Sequence, residues 1–345
     1  MDIAKHIFQA HGADGSGAVI FRKKLRRAQV LAFFAAQPPC IVAMEACGGA
    51  HHWGREISRL GHAVRLIPPA YVKPFVKRQK NEAADAEAIC EAAQRPTMRF
   101  VKVKSEAEQA EALVFRTRDL LVQQRTQVIN AVRGHLSEFG IVVAKGAQNS
   151  GLLAAQVEEP ASGLPEPVRG MLGILIEELR RLNERIAELD REVMRRAKAN
   201  ATARRLMTIP GIGPVTAMAL VALAPAAATF KRGRDFAAWL GLTPQQRSSG
   251  GKERLGRITK QGERMLRRLL IIGASAVARW AARNGAAPGS WLERMLSRKP
   301  PMLVRVALAN TGFPSRQRDG VPKMARTVWA LLAHGGVYQA PAAAA

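Results

Sequence analysis

The chain has 345 residues, with 53 Lys plus Arg against 27 Asp plus Glu and a formal net charge of +26. Its 48% hydrophobic residues suffice for the cores of two or three domains, which excludes a disordered basic tail and puts the charge on folded surfaces. Such a surplus calls for a polyanion, and nucleic acid is expected over lipid because no apolar run of about 18 residues or signal-peptide pattern occurs; a cytoplasmic protein follows.

Residues 1–104 read as an α/β domain. Short apolar runs at 6–10, 18–21, 40–44 and 63–67 alternate with helical patterns. The first two flank a Gly/Asp/Ser-rich turn and predict an antiparallel hairpin; the later two are separated by a helical stretch, as a parallel crossover requires, so a mixed sheet is expected. Cys40, Cys47 and Cys90 form no CxxC pair and are odd in number, so they read as small core residues rather than disulfide or zinc ligands.

Residues 105–140 predict one long basic helix carrying Arg116, Arg118, Arg125 and Arg133, and 141–167 predict a Gly/Pro/Ala-rich linker. In 168–200, Leu172, Leu175, Leu179, Leu182, Ile186, Leu189 and Val193 repeat at alternating spacings of 3 and 4, a coiled-coil seam whose partner is either another helix of this chain or a second subunit. Residues 201–285 form a mostly helical domain, followed by a helical tail over 286–345 with a low-complexity end. Between Lys231 and Arg268 there are eleven Lys or Arg and three Asp or Glu, a local charge of +8.

Aspartate is scarce, with seven in the chain. Asp2 lies at the start of the first strand, Glu45 follows an apolar run, and Glu82 and Asp85 stand three apart on one face of a predicted helix. Strand-end carboxylates converging on such a pair would make an oxygen cage for Mg²⁺, suited to phosphoryl chemistry. The same residues also fit an exposed terminus, a cap before Gly48 and a solvated first helical turn.

Ile209 to Pro214 reads IPGIGP between two helical stretches. Gly211 and Gly213 flanking one apolar residue fit a helix-hairpin-helix turn that turns backbone N–H groups toward phosphate, or a plain helix–helix turn. Ser248 and Ser249 precede two glycines and the cations Lys252, Arg254, Arg257 and Lys260. A serine among such groups can attack a phosphate whose developing charge the cations stabilise; a flexible phosphate-binding loop has the same composition.

Taken in order, DIAKH from Asp2, MEACGGAHHW from Met44, KNEAADAEAI from Lys80, the IPGIGP turn, and LGLTP from Leu240 through SSGGKERLGRITK from Ser248 resemble the DEDD insertion-sequence transposases, bridge-RNA-guided recombinases related to pilin-gene invertases. The resemblance implies an N-terminal RuvC-like domain of RNase H fold, a coiled coil, and a C-terminal transposase domain with a nucleophilic serine. It implies Mg²⁺ held by Asp2, Glu45, Glu82 and Asp85, and a phosphoserine link to DNA through Ser249 or Ser248, with Ser249 favoured. It also implies donor and target DNA as partners, a structured noncoding RNA that pairs with both, and a homodimer or homotetramer.

Three departures from the family pattern stand out. Glu82 stands where Asp is usual; Met1 directly precedes Asp2, so the central strand lacks its front half, through an upstream start or a weakened copy; and 311–322 interrupts what reads as one helix. These departures keep a nucleic-acid-binding copy without catalysis, or a junction nuclease using the carboxylates alone, as alternatives.

Overall fold

Two of the early apolar runs pair as an antiparallel hairpin, β1 (Ile7–Ala13) and β2 (Val19–Arg26). The Asp14 carboxylate closes its turn by accepting from the N–H groups of Ser16 and Ala18, each at 2.9 Å. After α1 (Val30–Ala35) come β3 (Ile41–Glu45), α2 (Ala50–Arg59) and β4 (Ala63–Ile67); α2 is the crossover that makes β3 and β4 parallel. Next follow α3 (Pro69–Val72) and α4 (Glu82–Ala93). In this computed structural model, residues 1–77, 81–310 and 324–339 are described. The chain divides into two compact units, Met1–Ala110 and Glu111–Ala345.

Strand alternation sorts the first unit into two cores. Phe8, Ala10, Val42 and Met44 pack with Val30, Phe34, Trp53 and Ile57, while Ala43 and Ile67 face Ala88, Ile89 and Ala92 of α4. The expected mixed sheet is interrupted, because β1–β2 and β3–β4 are separate two-stranded sheets. The segment that would join them contributes one bridge, Asp2 N–H to Gln9 O at 2.9 Å and Gln9 N–H to Asp2 O at 3.2 Å, and the Met1 amino group donates to Ala43 O at 2.7 Å. Asp2 therefore precedes the first strand instead of opening it. Cys40 and Cys47 are exposed and Cys90 is half-buried, so the first two are not core residues.

The division between units falls within α5 (Glu106–Glu138), which is followed by α6 (Ser150–Glu158) and α7 (Glu166–Ala199). The stretch read as a linker is folded. Leu153 and Val157 of α6, with Val143 and Leu164, are buried against Ile129, Val132 and Leu136 of α5 and Leu172, Ile176 and Leu179 of α7. The partner of the heptad seam is thus α5 of the same chain. Arg118 donates to both Asp190 oxygens, at 2.5 and 3.1 Å, and Arg125 to Asn183 at 3.4 Å, an order that makes the helices antiparallel. Ile176 is buried where Leu175 was expected, since a straight helix drifts off a strict 3.5-residue repeat. Three of the four arginines of this basic helix are engaged internally: Arg118, Arg125 and Arg133, the last on Val143 O at 3.1 Å.

The rest of the second unit comprises α8 (Ala201–Leu206), α9 (Pro214–Leu223), α10 (Gly233–Trp239), the hairpin β5 (Pro244–Gln246) and β6 (Leu255–Ile258), α11 (Arg264–Asn284), α12 (Trp291–Arg298), α13 (Pro301–Asn310) and α14 (Met324–His334). Its core joins Leu206, Ile209, Phe236, Leu240, Leu266 and Leu270 to Leu308, Ala325 and Val328. The expected tail is therefore part of the core. Lys80, the 311–322 insertion and the low-complexity end at 340–345 lie outside the described residues. No helix among those described is long and apolar enough to cross a membrane. Ile176 is 1% exposed between α5 and α7. Ile176→Ala should cost about 3 kcal/mol in urea unfolding, and a cost under about 1 kcal/mol would contradict this packing.

Candidate active site and nucleic-acid interface

The carboxylates are gathered by three elements. Asp2 is paired with Gln9 of β1; directly opposed residues share a sheet face. Glu45 ends β3 two residues after Ala43, on the α4 side. Glu82 and Asp85 occupy the first turn of α4, whose start is capped by the Asn81 side chain accepting from Ala83 N–H at 3.0 Å. Asp2, Glu45 and Asp85 are half-buried and Glu82 is exposed.

Two of these groups, Asp2 and Glu45, have raised pKa values. Burial pushes the Asp2 carboxyl above its ordinary value, and the charges of Asp85 and Glu82 add to the rise. Glu45 is raised by burial and then by Asp2 and Asp85. Their mutual repulsion is the kind a hard divalent cation relieves, and the oxygen-only donor set fits one. The cluster is open, however: among the described residues no three His, Cys, Asp or Glu side chains stand close enough to hold a metal ion. Closing it takes rotation of these side chains, and exposed Glu82, with its extra methylene, is the freest to move.

Sequence reasoning missed Gln9. Its side chain is buried, and its amide donates to Glu82 Oε2 at 3.4 Å while its backbone holds Asp2. The available signal was a lone amide within the apolar run of β1.

In the second unit, Ser248 and Ser249 lie at the tip of the β5–β6 hairpin. Arg247 N–H donates to Arg254 O at 2.8 Å, and Ser249 and Lys252 close the ladder through Lys252 N–H to Ser249 O at 3.1 Å. Gly250 and Gly251 have φ of +56° and +74°, as a two-residue turn with both central residues left-handed requires. The Ser248 hydroxyl accepts from Arg254 N–H at 3.2 Å, whereas no hydrogen bond engages that of Ser249 among the described residues. Lys252, Arg254, Arg257 and Lys260 are all exposed around it.

The base of this hairpin is clamped. Thr259 N–H donates to Thr243 O at 2.9 Å and Lys260 N–H to Gly241 O at 3.1 Å. Gly241 and Gly262 have φ of +68° and +69°, and a Cβ on either would collide with backbone, of Gln261 and Trp239 respectively. Buried Arg267, unremarked in the sequence, donates to Leu240 O at 2.9 Å and Gln261 O at 2.6 Å, joining both legs. The paired glycines in LGL and KQGER were its only trace.

The IPGIGP turn is split in role. Gly211, at φ +86°, packs against α11, where a Cβ would stand 2.7 Å from Gly273 O. The expectation that both glycines open outward is therefore corrected for Gly211. Gly213 is exposed and caps the N-terminus of α9.

Two stretches of the chain match known families. Residues 1–141 match the DEDD transposase family of IS110 elements, and residues 203–287 match the family described as transposase IS116/IS110/IS902. The chain is 47% identical over 341 residues to a "Probable family 20 transposase" of Pseudomonas aeruginosa, covering 98% of this chain and 97% of that one. It is 39% identical over 338 residues to the transposase for insertion sequence element IS1328 of Yersinia enterocolitica, covering 98% and 97%. It is 39% identical over 340 residues to the transposase for IS1111A of Coxiella burnetii, covering 98% and 90%. A mixed strand–helix unit carrying carboxylates, followed by a helical unit, defines a DEDD-type transposase, a class that implies DNA binding, transposition and divalent-metal use. The chain belongs to the IS110/IS116/IS902 family of insertion-sequence transposases.

A carboxyl whose pKa is raised by folding stabilises the folded state below its unfolded pKa, and this contribution is lost as pH rises through the folded value. Asp85→Asn removes one repelling charge from Asp2 and Glu45. In chelator at pH 7 it should raise Tm by about 1–2 °C, from about 0.5 kcal/mol after solvent screening, with the gain vanishing below about pH 4. A lower Tm at pH 7 would refute the repulsion. Arg267→Met strands two carbonyls and should cost about 2–3 kcal/mol in urea unfolding, while loss of less than about 0.5 kcal/mol would show that the clamp is slack.

Proposed function

We propose that this chain is an RNA-guided DNA recombinase of its insertion element, with Ser249 as nucleophile. The observation that carries this reading is the Ser249 hydroxyl, unengaged among the described residues at the tip of a clamped hairpin and flanked by Lys252, Arg254, Arg257 and Lys260. In the reaction, Ser249 Oγ forms a bond to phosphorus as the ester bond to one strand oxygen breaks, and that oxygen leaves with the proton given up by serine. One ester replaces another, so resealing needs no ATP. The cations offset the charge that builds on the phosphoryl oxygens. Ser248 has a supporting role, its hydroxyl holding the Arg254 backbone.

The first unit is read as a RuvC-like domain of RNase H fold, with a hairpin followed by a parallel pair and carboxylates meeting at α4. Asp2, Glu45, Glu82 and Asp85 are the residues that would hold Mg²⁺, which when bound supplies Lewis-acid polarisation of a phosphodiester. The remaining domains are read as the long helix over 105–140, the coiled coil over 168–200 and the transposase domain over 201–285. Gly213 adds an N–H at the start of α9 for a backbone phosphate. A structured noncoding RNA reads donor and target by base pairing, and the protein acts in the cytoplasm as a homodimer or homotetramer, since exchange needs more than one active site. The coiled-coil seam does not support that assembly, because α5 fills it within one chain.

A second reading, hydrolysis by the carboxylates alone, is favoured by the coupling among Asp2, Glu45 and Asp85. Trapping separates the two. With cognate RNA, DNA and Mg²⁺, the protein should give a denaturant-resistant DNA adduct that Ser249→Ala abolishes and Ser248→Ala reduces about tenfold. Cleavage without an adduct, lost in Asp85→Ala and kept in Ser249→Ala, would establish hydrolysis instead.

A further inference from the structure

From the outer strand of the first unit we infer a binding track for a single DNA strand, formed by Arg22, Lys24 and Arg26 of β2. It goes beyond the serine reading and rests only on the family's action on DNA. In the β1–β2 register, Arg26 stands opposite Ile7, Lys24 opposite Gln9 and Arg22 opposite His11. Opposed residues share a face, so the three cations line the face that carries Gln9, while Phe21, Lys23 and Leu25 turn the other way, Phe21 and Leu25 to the α1–α2 core and Lys23 over the Phe33 ring.

Gln9 is also the residue paired with Asp2. Asp2, Gln9 and Lys24 thus form one cross-strand row, which sets the backbones of Asp2 and Lys24 about 10 Å apart at two inter-strand spacings. Along β2 the cations recur every second residue, about 6.7 Å apart, a repeat comparable to that of phosphates along one nucleic-acid strand. All three are exposed. Arg22 has a 3.4 Å ion pair with Glu87 while remaining 61% exposed, Arg26 donates its backbone N–H to Gln29 Oε1 at 2.9 Å, and no ion pair engages the side chains of Lys24 or Arg26 among the described residues. Among those residues β2 pairs only with β1, so its outer edge also offers backbone N–H groups, that of Arg26 excepted.

The chemistry requires such a device. Four carboxylates repel a phosphodiester, and a strand brought to them needs compensating charge alongside. A line of cations two strand spacings from Asp2 supplies it, and its charge fits a DNA strand laid along the sheet edge. Cations at an open edge can also serve only to keep other strands from pairing there.

The test is binding of the full-length protein to a single-stranded DNA oligonucleotide in chelator, by fluorescence anisotropy across a salt series. The Arg22→Gln/Lys24→Gln/Arg26→Gln variant should bind about tenfold or more weakly at 0.1 M salt, with a slope of log K against log salt shallower by about 2. A matched variant on the exposed face of α7, Arg181→Gln/Arg185→Gln/Arg191→Gln, should shift the slope by less than half as much. If the triple variant fails to fold, Lys24→Gln alone should make the slope shallower by about 0.7. The inference is overturned if the DNA slope is unchanged, if the α7 variant matches the β2 variant, or if only binding of an RNA oligonucleotide weakens. Because no cleavage is read, failure of the serine mechanism would leave these outcomes intact.

Discussion

The packing of α4 across the faces of two strand pairs is the constraint from which the first unit's chemistry follows. Ala88, Ile89 and Ala92 bury themselves against Ala43 and Ile67, and this apolar contact fixes where the first turn of α4 ends up. The two-residue period of β1 and β3 then brings Gln9 and Glu45 to the same side. Carboxylates from a bridge, a strand end and a helix start come to one side of the unit, as an open cluster, because hydrophobic burial elsewhere holds their backbones. Burial first, and then the charges of their neighbours, raise the pKa values of Asp2 and Glu45 there.

The second unit solves a different problem, holding an exposed loop rigidly on a helical scaffold. A tip of Ser248, Ser249, Gly250 and Gly251 buries no apolar surface of its own, so its position depends on its base. There, close backbone approaches at Gly241 and Gly262 leave no room for Cβ atoms, and the Arg267 guanidinium satisfies carbonyls from both legs. Gly211 and Gly273 make a similar close contact between the IPGIGP turn and α11. Glycines that look like flexible or phosphate-binding positions in the sequence serve here as packing surfaces.

Charge is distributed by the same logic. Arg118, Arg125 and Arg133 are drawn into the α5–α6–α7 assembly, where they satisfy acceptors of the chain itself, while the hairpin tip keeps its cations in water. The net charge of +26 therefore overstates what any one helix offers to a nucleic acid. Which cations remain available depends on neighbours far away in sequence. Asp190 is 72 positions from Arg118, and no local pattern joins them.

Patterns local to a few residues were legible directly from the amino acids: the hairpin around Asp14, the crossover between 40–44 and 63–67, the Glu82 and Asp85 face, and the serine turn before two glycines. Periodicity, turn chemistry and helix caps act over a handful of positions, and ordered family motifs extended that reach to the class of protein. Tertiary structure alone decided the rest. It placed Asp2 before the first strand, split the sheet, filled the seam with α5, folded 141–167, and drew Gln9 and Arg267 into position. Each of these turns on which distant surface a segment buries and which distant carbonyl or carboxylate it meets, and those encounters exist only once the chain has closed on itself.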